Sequence, residues 1–253
     1  MALPDLNKLI DDKVVALDAA KRAAHEPSGK LSAGMLAWPI QWSVLKLLGV
    51  EDTPPDTYAL RKFARGNQVE DWFIDLVAEE GCVTQKEVDY RGCIGFVDLV
   101  TDDGFPHEVK SVTNLKWKRI VQGYKSKNVP PAGPQYSHAL QAGFYALALG
   151  KPEAYIHYIA SDDLRLASFA IPVEDVQGDI NTTISSVHRA LEEGYIPVFE
   201  QREDWNNMPD YAKYWDWMQL TREQLEHKLK TEYPESYNKL KQGAKHGKQV
   251  SQS

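Results

Sequence analysis

Apolar residues in the first third of the chain recur with helical spacing. They appear every three or four positions up to Gly81, and this pattern predicts helices over 5–24, 33–48 and 58–80. Pro39 interrupts the second of these helices, because proline lacks the backbone N–H that a helix interior needs. This region is therefore expected to be mainly helical.

The spacing then shortens to two, which is typical of β-strands with one buried face. Three such runs, at 82–90, 94–101 and 106–112, are separated by the turn sequences Arg91-Gly92 and Asp102-Asp103-Gly104. Asp-Gly between two alternating runs is a strong hairpin signal, so we expect the second and third strands to lie antiparallel.

The second half of the chain mixes both kinds of pattern. In order, it predicts a long polar connection at 113–136, a helix at 136–149, strands at 153–160 and 164–171, a helix at 175–193, a helical annex at 203–242 and a flexible tail at 243–253. The sequence has no internal repeat and no long linker, so we expect a single domain. The order of helices and strands indicates an α/β fold with a helical annex.

Composition and charge narrow the class of protein. The 253 residues are 43% hydrophobic, and 29 Lys and Arg against 36 Asp and Glu give a net charge of −7. This excludes a polybasic coat for DNA or membranes, although it allows a local basic groove. Cys82 and Cys93 are too few for a disulfide scaffold or a four-cysteine metal site. Neither a signal peptide nor a long apolar run occurs in the sequence, so we expect a cytoplasmic protein without a membrane partner.

Two acidic residues and a lysine fall at informative places in the predicted hairpin. Residues two apart on a strand share a face, so Glu108 and Lys110 project together while Val109 packs behind them. The turn brings Asp98 beside Glu108, and two such carboxylates repel unless a cation lies between them. Oxygen ligands of this kind suit Mg²⁺ or Mn²⁺. The alternative is an exposed hairpin with a solvated Glu–Lys pair.

Two helices carry further polar residues beside apolar stripes. Glu70 lies at the edge of the stripe formed by Phe73 and its neighbours, where a shared metal ion would offset the cost of burying a carboxylate. The alternative is that Glu70 reaches out to solvent. His138, Gln141 and Tyr145 share one face of the later helix, which is either functional or an ordinary polar surface.

Together these segments resemble the PD-(D/E)XK nuclease superfamily and, within it, the RecB-like exonuclease branch. The matching segments are Gly66-Asn67-Gln68-Val69-Glu70, Gly95-Phe96-Val97-Asp98, Glu108-Val109-Lys110 and Gln141-Ala142-Gly143-Phe144-Tyr145. Each motif is short, but all four occur in the order of the family. The resemblance covers about residues 31–171 and implies a restriction-endonuclease-like core there, a mixed central sheet flanked by helices. A helix at 1–30 and the annex would be added to this core.

The resemblance implies a metal site. Asp98, Glu108 and the carbonyl of Val109 would hold Mg²⁺ or Mn²⁺, with Glu70 as a further ligand. Many RecB-like members carry histidine where Glu70 stands, which bears on the choice of metal. Members related to CRISPR-associated nucleases bracket the domain with four cysteines; these are missing here, so we expect no iron–sulfur cluster.

The resemblance also implies a reaction. Lys110 would assist the attacking water, and Gln141 and Tyr145 would orient the nucleic-acid backbone or the site. We expect a metal-dependent deoxyribonuclease, an exonuclease acting on DNA ends or single strands in recombination, repair or phage DNA metabolism. Recombination or replication proteins are candidate partners, and a phage gene expressed in a bacterial host is a candidate source. Two alternatives are a silent DNA- or partner-binding module and a restriction-type endonuclease.

A basic segment joins the lysine motif to the helix at 136–149. Residues 110–138 contain no Asp or Glu, and beyond Lys110 the candidate DNA-binding residues are Lys116, Trp117, Lys118, Arg119, Tyr124, Lys125 and Lys127. The cations would contact phosphates, and the aromatic rings, with Tyr136, would stack on bases. The alternative is a solvated charged loop.

Overall fold

The computed structural model describes residues 5–24, 28–51, 54–78, 81–123, 132–200 and 214–250. The strands are β1 (Leu31–Ser32), β2 (Val83–Tyr90), β3 (Cys93–Val100), β4 (Pro106–Val112), β5 (Glu153–Ala160) and β6 (Leu166–Pro172). The helices are α1 (Leu6–Ala24), α2 (Ile40–Leu48), α3 (Thr57–Val77), α4 (Asn114–Gln122), α5 (Tyr136–Leu149), α6 (Gln177–Glu193), α7 (Trp215–Met218), α8 (Arg222–Glu232) and α9 (Pro234–Val250). This mixed sheet between helices confirms the predicted fold class.

Strand β3 has unequal partners on its two edges. Strand β2 pairs antiparallel along one edge, from Val83 opposite Val100 to Tyr90 opposite Cys93. The other edge is shared by β1, which pairs in parallel with its first two residues, and β4, which pairs antiparallel with its last two. Between these partners β3 and β4 separate. We call the paired part, at Leu99 and His107, the closed end of the hairpin, and the separated part, at Asp98 and 108–111, the open end.

Local sequence explains both hairpin turns. Arg91 and Gly92 have φ of 55° and 76°, as a two-residue type I′ turn requires at both central positions. In the second turn Gly104 has φ of 81° and donates its N–H to the carbonyl of Thr101 at 2.8 Å. Glycine adopts this left-handed conformation without steric cost, so Asp103-Gly104 closes the β3–β4 hairpin as predicted.

The two faces of the sheet are covered by different helices. On one face α5 and α6 enclose the main core, which includes Phe144, Tyr158 and Ile180. On the other face α3 places Ile74 against Val109 and Ile159 in a small separate cluster. Alternation along β4 therefore directs Val109 toward α3, and directs Glu108 and Lys110 toward the side of α5.

The C-terminal helices pack on α2 and α6. The Tyr214 hydroxyl donates to the carbonyl of Val50 at 3.2 Å, and the Tyr214 and Trp42 rings lie 6.2 Å apart. The Lys239 ammonium donates to the carbonyl of Leu47, the penultimate residue of α2, at 2.6 Å. The aromatic annex therefore joins the main core by packing, while Tyr211 lies outside the described residues.

Two predicted elements differ from the structure. The polar connection at 113–136 contains α4, which begins at the Thr113 cap and ends before Gly123. It escaped prediction because it has only nine residues and lies within a longer polar and basic stretch. Helix α9 continues to Val250, into the range for which the sequence predicts a flexible tail. Among the residues that the structure describes, every helix is too short or too polar to cross a membrane.

Candidate active site

The predicted site residues converge at the open end of the hairpin. Where the backbone ladder between β3 and β4 stops, Asp98 Oδ2 accepts a hydrogen bond from the Val109 N–H at 2.8 Å. The Asp98 carboxylate thus accepts the hydrogen bond that a backbone carbonyl of the partner strand would otherwise accept. This contact brings Asp98 next to the Glu108 motif, as the sequence predicts for the hairpin. A strand residue directs its N–H and C=O to the same side, so the Val109 carbonyl faces the edge that holds Asp98.

Glu108 is the most unusual carboxyl group among the described residues. It is only 1% exposed, its Oε1 contacts the Lys110 ammonium, and its Oε2 has no hydrogen-bond partner among the described residues. Burial is the main reason that the pKa of Glu108 is raised to about 8; Lys110 opposes this shift, and the Asp98 and Glu70 carboxylates add to it. An unpartnered buried carboxyl oxygen is costly unless a ligand satisfies it.

Lys110 remains cationic although it is largely enclosed. Burial disfavours its charged form, but the Glu108, Asp98 and Glu70 carboxylates outweigh burial and raise its pKa. The site therefore keeps a positive charge next to three acidic groups, and Lys110 is available to hold an anionic group.

Glu70 reaches the same edge of β4 from helix α3. Its Oε1 accepts a hydrogen bond from the Ser111 N–H at 2.7 Å, two residues beyond the N–H that binds Asp98. Burial raises its pKa, while the Ser111 N–H and Lys110 act in the opposite direction. Glu70 is therefore turned inward, in contrast to the alternative in which it extends into solvent.

Gln141 and Tyr145 lie one turn apart on α5, beside the same site. The Gln141 side-chain amide donates to the Tyr145 hydroxyl at 2.8 Å. Burial raises the pKa of Tyr145, and the next largest cause is the charge of Glu108. Close approach here requires glycine at position 95, since a Cβ atom there would lie 2.6 Å from Tyr145 Cε1. The Gly95 and Tyr145 motifs are thus linked by direct packing.

The donor set fits a hard divalent cation, although it is not assembled as a closed cage. Within the described ranges, no three His, Cys, Asp or Glu side chains form a ready metal cluster. The Val109 N–H binds one oxygen of Asp98, and the Ser111 N–H binds one oxygen of Glu70. The Lys110 ammonium contacts Glu108 Oε1. The unpartnered Glu108 Oε2, the second oxygen of Glu70, and Asp98 Oδ1, which also accepts the Gln85 amide, match Mg²⁺ or Mn²⁺, which bind few protein ligands and retain water.

Helix α4 carries the described part of the predicted DNA-binding set. Lys116, Lys118 and Arg119 are exposed. Trp117 is only 8% exposed and the Arg165 guanidinium lies 4.4 Å from its ring centroid, so the prediction that Trp117 stacks on bases was wrong. Its ring anchors α4 because it occupies the apolar face of the helix.

The other members of that set follow α4 in the chain. Tyr124, Lys125 and Lys127 lie outside the described residues. Tyr136 is half-buried, and its hydroxyl donates to Asp179.

Sequence reasoning missed Gln85. Its neighbours Thr84 and Lys86 pair with Leu99 and Val97, but Gln85 itself has φ of 49°, which is rare for a residue with a side chain. Its amide donates to Asp98 Oδ1 at 3.2 Å. Nothing in the alternation of β2 signals this distortion.

Sequence reasoning also missed Tyr158. It pairs in register with Lys110 on the neighbouring strand β5. The signal that could have found it is the parallel β4–α5–β5 connection, which places two predicted strands side by side.

Comparisons with known proteins show distant structural likenesses. No family model matches the chain, and no curated protein matches its sequence. An alkaline exonuclease (LHK-Exo) from Laribacter hongkongensis has a TM-score of 0.45 at 14% identity, over 64% of this chain and 89% of that chain. The same exonuclease in complex with dAMP gives 0.45 at 15% identity, over the same shares of the two chains. The protein SSO0001 gives 0.45 at 14% identity, over 73% of this chain and 85% of that chain. At this level of similarity, function has to be argued from the geometry of the site.

Proposed function

We propose that the chain is a divalent-metal-dependent nuclease that hydrolyses phosphodiester bonds of DNA. The observation that carries this proposal is the buried Glu108 carboxyl with its unpartnered Oε2, held beside Asp98 and Lys110 where two strands separate. Burying a carboxyl oxygen without a partner destabilises the fold, but it suits a site that binds a cation and a phosphate.

The residues divide the chemistry among them. When bound, Mg²⁺ or Mn²⁺ would withdraw charge from the scissile phosphate and make water more acidic. Asp98, Glu108 and the Val109 carbonyl would hold the ion, with Glu70 at the rim. Lys110 would hold the attacking water and the negative charge that develops on the phosphate.

Tyr145 would position the phosphate from the side of α5. The Tyr145 hydroxyl oxygen accepts a hydrogen bond from the Gln141 amide, so the hydroxyl proton is free to be donated to another acceptor. Gln141 thereby sets the direction in which Tyr145 donates. A phosphate oxygen at the open end is the acceptor that we assign to it.

Helix α4 would contact the DNA backbone through Lys116, Lys118 and Arg119. Replacing all three by glutamine should weaken binding of single-stranded DNA and reduce the slope of log K against log[salt] by about 2, since each lost phosphate contact lowers it by about 0.7. Binding titrations at several salt concentrations measure this slope. A replacement of Lys13, Lys21 and Lys62 by glutamine, on α1 and α3, removes the same charge as a control. Equal slopes in the two triple variants would contradict a role for α4.

The finer proposal is an exonuclease that acts on DNA ends or single strands in recombination, repair or phage DNA metabolism. End-labelled linear and circular DNA, single- and double-stranded, should be incubated with Mg²⁺, Mn²⁺ or EDTA. We expect linear DNA to be degraded with metal, and circular DNA to survive. Cleavage of circular DNA at fixed positions would instead indicate a restriction-type endonuclease.

One observation favours a second candidate, a silent DNA-binding module. The Lys110 ammonium contacts Glu108 Oε1, so one oxygen of this carboxyl group has a cationic partner without a metal ion. If this contact is the resident arrangement, DNA binds without cleavage under every metal condition of the same assay. That outcome would overturn the nuclease.

A further inference from the structure

His138 occupies a position that the proposed chemistry leaves unused. It lies on the same side of α5 as Gln141 and Tyr145, three and seven residues earlier. Its Nδ1 is 2.9 Å from the hydroxyl of Tyr158, the residue that pairs with Lys110 across β4 and β5. His138, Gln141 and Tyr145 thus form a row of polar side chains along α5. His138 lies at one end of this row, and the charge of Glu108 acts on Tyr145 at the other end.

The hydrogen bonds of Tyr158 determine which nitrogen of His138 carries the proton. Tyr158 is fully buried, and its hydroxyl oxygen accepts the backbone N–H of Gln135 at 3.0 Å. A buried hydroxyl proton needs an acceptor, and among the described residues the one within reach is His138 Nδ1. Tyr158 thus donates to Nδ1, and the imidazole proton resides on Nε2.

The Nε2–H group is then a donor without a partner in the described part of the chain. It lies across the ring from Nδ1 and so points away from Tyr158. Burial, followed by the charges of Lys110 and Lys116, holds the pKa of His138 well below its usual value, so the ring stays neutral. Its Nδ1 contacts the Tyr158 hydroxyl of β5, and the charged groups that act on it are Lys110 of β4 and Lys116 of α4.

The charges of Lys110 and Lys116 both act on this ring, so the Nε2–H and two ammonium groups are the donors of this part of the site. An anion with several acceptor oxygens satisfies them together, and a phosphate of the nucleic-acid backbone has that chemistry. We propose that His138 binds a backbone phosphate beside Lys110 as a neutral hydrogen-bond donor, an assignment that rests on the proposed nuclease function. The neutral ring adds direction to the contact without adding charge.

Two substitutions separate the nitrogens of His138. The Asn amide reaches the place of Nδ1, so His138→Asn keeps a partner for Tyr158 and removes the outer donor. The Gln amide reaches the place of Nε2, so His138→Gln keeps the donor and removes the partner of Tyr158. Binding of a short fluorescent oligothymidylate in EDTA, where DNA is not cut, reports on the donor; thermal unfolding reports on the Tyr158 contact.

The expected result is opposite behaviour of the two variants. His138→Asn should bind oligothymidylate about 10- to 100-fold more weakly at nearly unchanged Tm, as loss of one hydrogen bond to a charged group predicts. His138→Gln should bind nearly as the unaltered protein does, at lower Tm. Wild-type affinity in His138→Asn, or loss of affinity in both variants in step with Tm, would overturn the proposal.

Nitrogen-15 NMR of the imidazole tests the same assignment without DNA. The unaltered protein should show the Nε2–H tautomer unchanged between about pH 6 and 8, a range in which an ordinary histidine titrates. A Nδ1–H tautomer, or titration in this range, would overturn the assignment.

The outcomes also separate this inference from the proposed function. Metal-dependent cleavage together with normal binding by His138→Asn would overturn the role of His138 alone. Absence of cleavage, with binding that still depends on His138, would overturn the nuclease and support the phosphate contact.

Discussion

The two ends of the β3–β4 hairpin use the same kind of backbone in opposite ways. At the closed end the main chain satisfies itself: Thr101 donates its N–H to Phe105 at 3.2 Å, and Leu99 pairs with His107. At the open end the N–H groups of Val109 and Ser111 are taken by carboxylates instead. Where β4 is not paired with β3, its free N–H groups can thus hold acidic side chains in fixed positions, and these side chains come from two elements, β3 and α3.

The burial of charge differs between the ends as well. Asp103 at the closed end lies in solvent, and its hydrogen bond from Thr101, followed by one from the Phe105 N–H, lowers its pKa. At the open end burial dominates and raises the pKa of Glu70 and Glu108. Acidic residues near a turn are ordinary, whereas enclosed acids beside an enclosed lysine indicate a site.

The largest expected effect comes from removing the buried acid at the open end. Glu108→Gln should lower the initial rate of DNA cleavage in Mn²⁺ by about 10³-fold or more, since a neutral amide neither compensates the cation nor holds it as tightly. Glu87→Gln, an exposed glutamate on β2, is the matched control and should retain full activity. If Glu108→Gln kept even a tenth of the rate, the open end would not be the active site.

A smaller effect is expected where Gly95 admits Tyr145 to the open end. Gly95→Ala places a methyl group 2.6 Å from Tyr145 Cε1 and 3.1 Å from Phe144 Cε1, so we expect a loss of about 1–3 kcal/mol in the free energy of unfolding, with reduced cleavage. Urea denaturation measures the loss. Gly178→Ala lies in α6, where an added Cβ meets no other part of the chain within 4 Å, so it should be neutral or stabilising by up to about 1 kcal/mol. Equal stability of the two variants would show that packing against Tyr145 does not require glycine at position 95.

The smallest effect is expected at Gln85, where a substitution should raise the stability of the fold but weaken metal binding. Gln85→Gly relieves a left-handed backbone conformation and should raise the free energy of unfolding by about 1 kcal/mol. It also removes the amide that holds Asp98 Oδ1, so Mn²⁺ affinity should fall by about 10-fold, as for other groups that orient metal ligands. Lys86→Gly, on the same strand, should lower stability and leave affinity unchanged. A Gln85→Gly variant with unaltered affinity would remove the positioning role.

Much of this fold was predictable because its signals are local. The alternation in β4 and β5, and the Gly150 cap that ends α5, gave boundaries that the structure reproduces. The Asp-Gly turn placed Asp98 near the Glu108 motif. These features depend on neighbouring residues and on the periods of helix and strand.

The parts that escaped prediction depend on contacts between distant segments. Trp117 reads as a base-stacking residue in a charged stretch, but Arg165 from the loop before β6 covers it. The Tyr158–His138 contact joins residues from β5 and α5, and the distortion at Gln85 is a matter of backbone conformation. No residue type or spacing in one sequence specifies such contacts.

Metal binding by calorimetry is the most direct test of the central claim, that the open end is a divalent-metal site. Because burial raises the pKa of Glu108 to about 8, this group is mainly protonated at neutral pH and must ionise to bind a cation. Mn²⁺ titrated into the protein at pH 7, in buffers of different ionisation enthalpy, should bind with release of about one proton, and the release should vanish as the pH rises above the raised pKa. Asp98→Asn should abolish binding, and Glu108→Gln should abolish both binding and proton release. Absence of Mn²⁺ binding, or binding that Asp98→Asn leaves intact, would contradict the account.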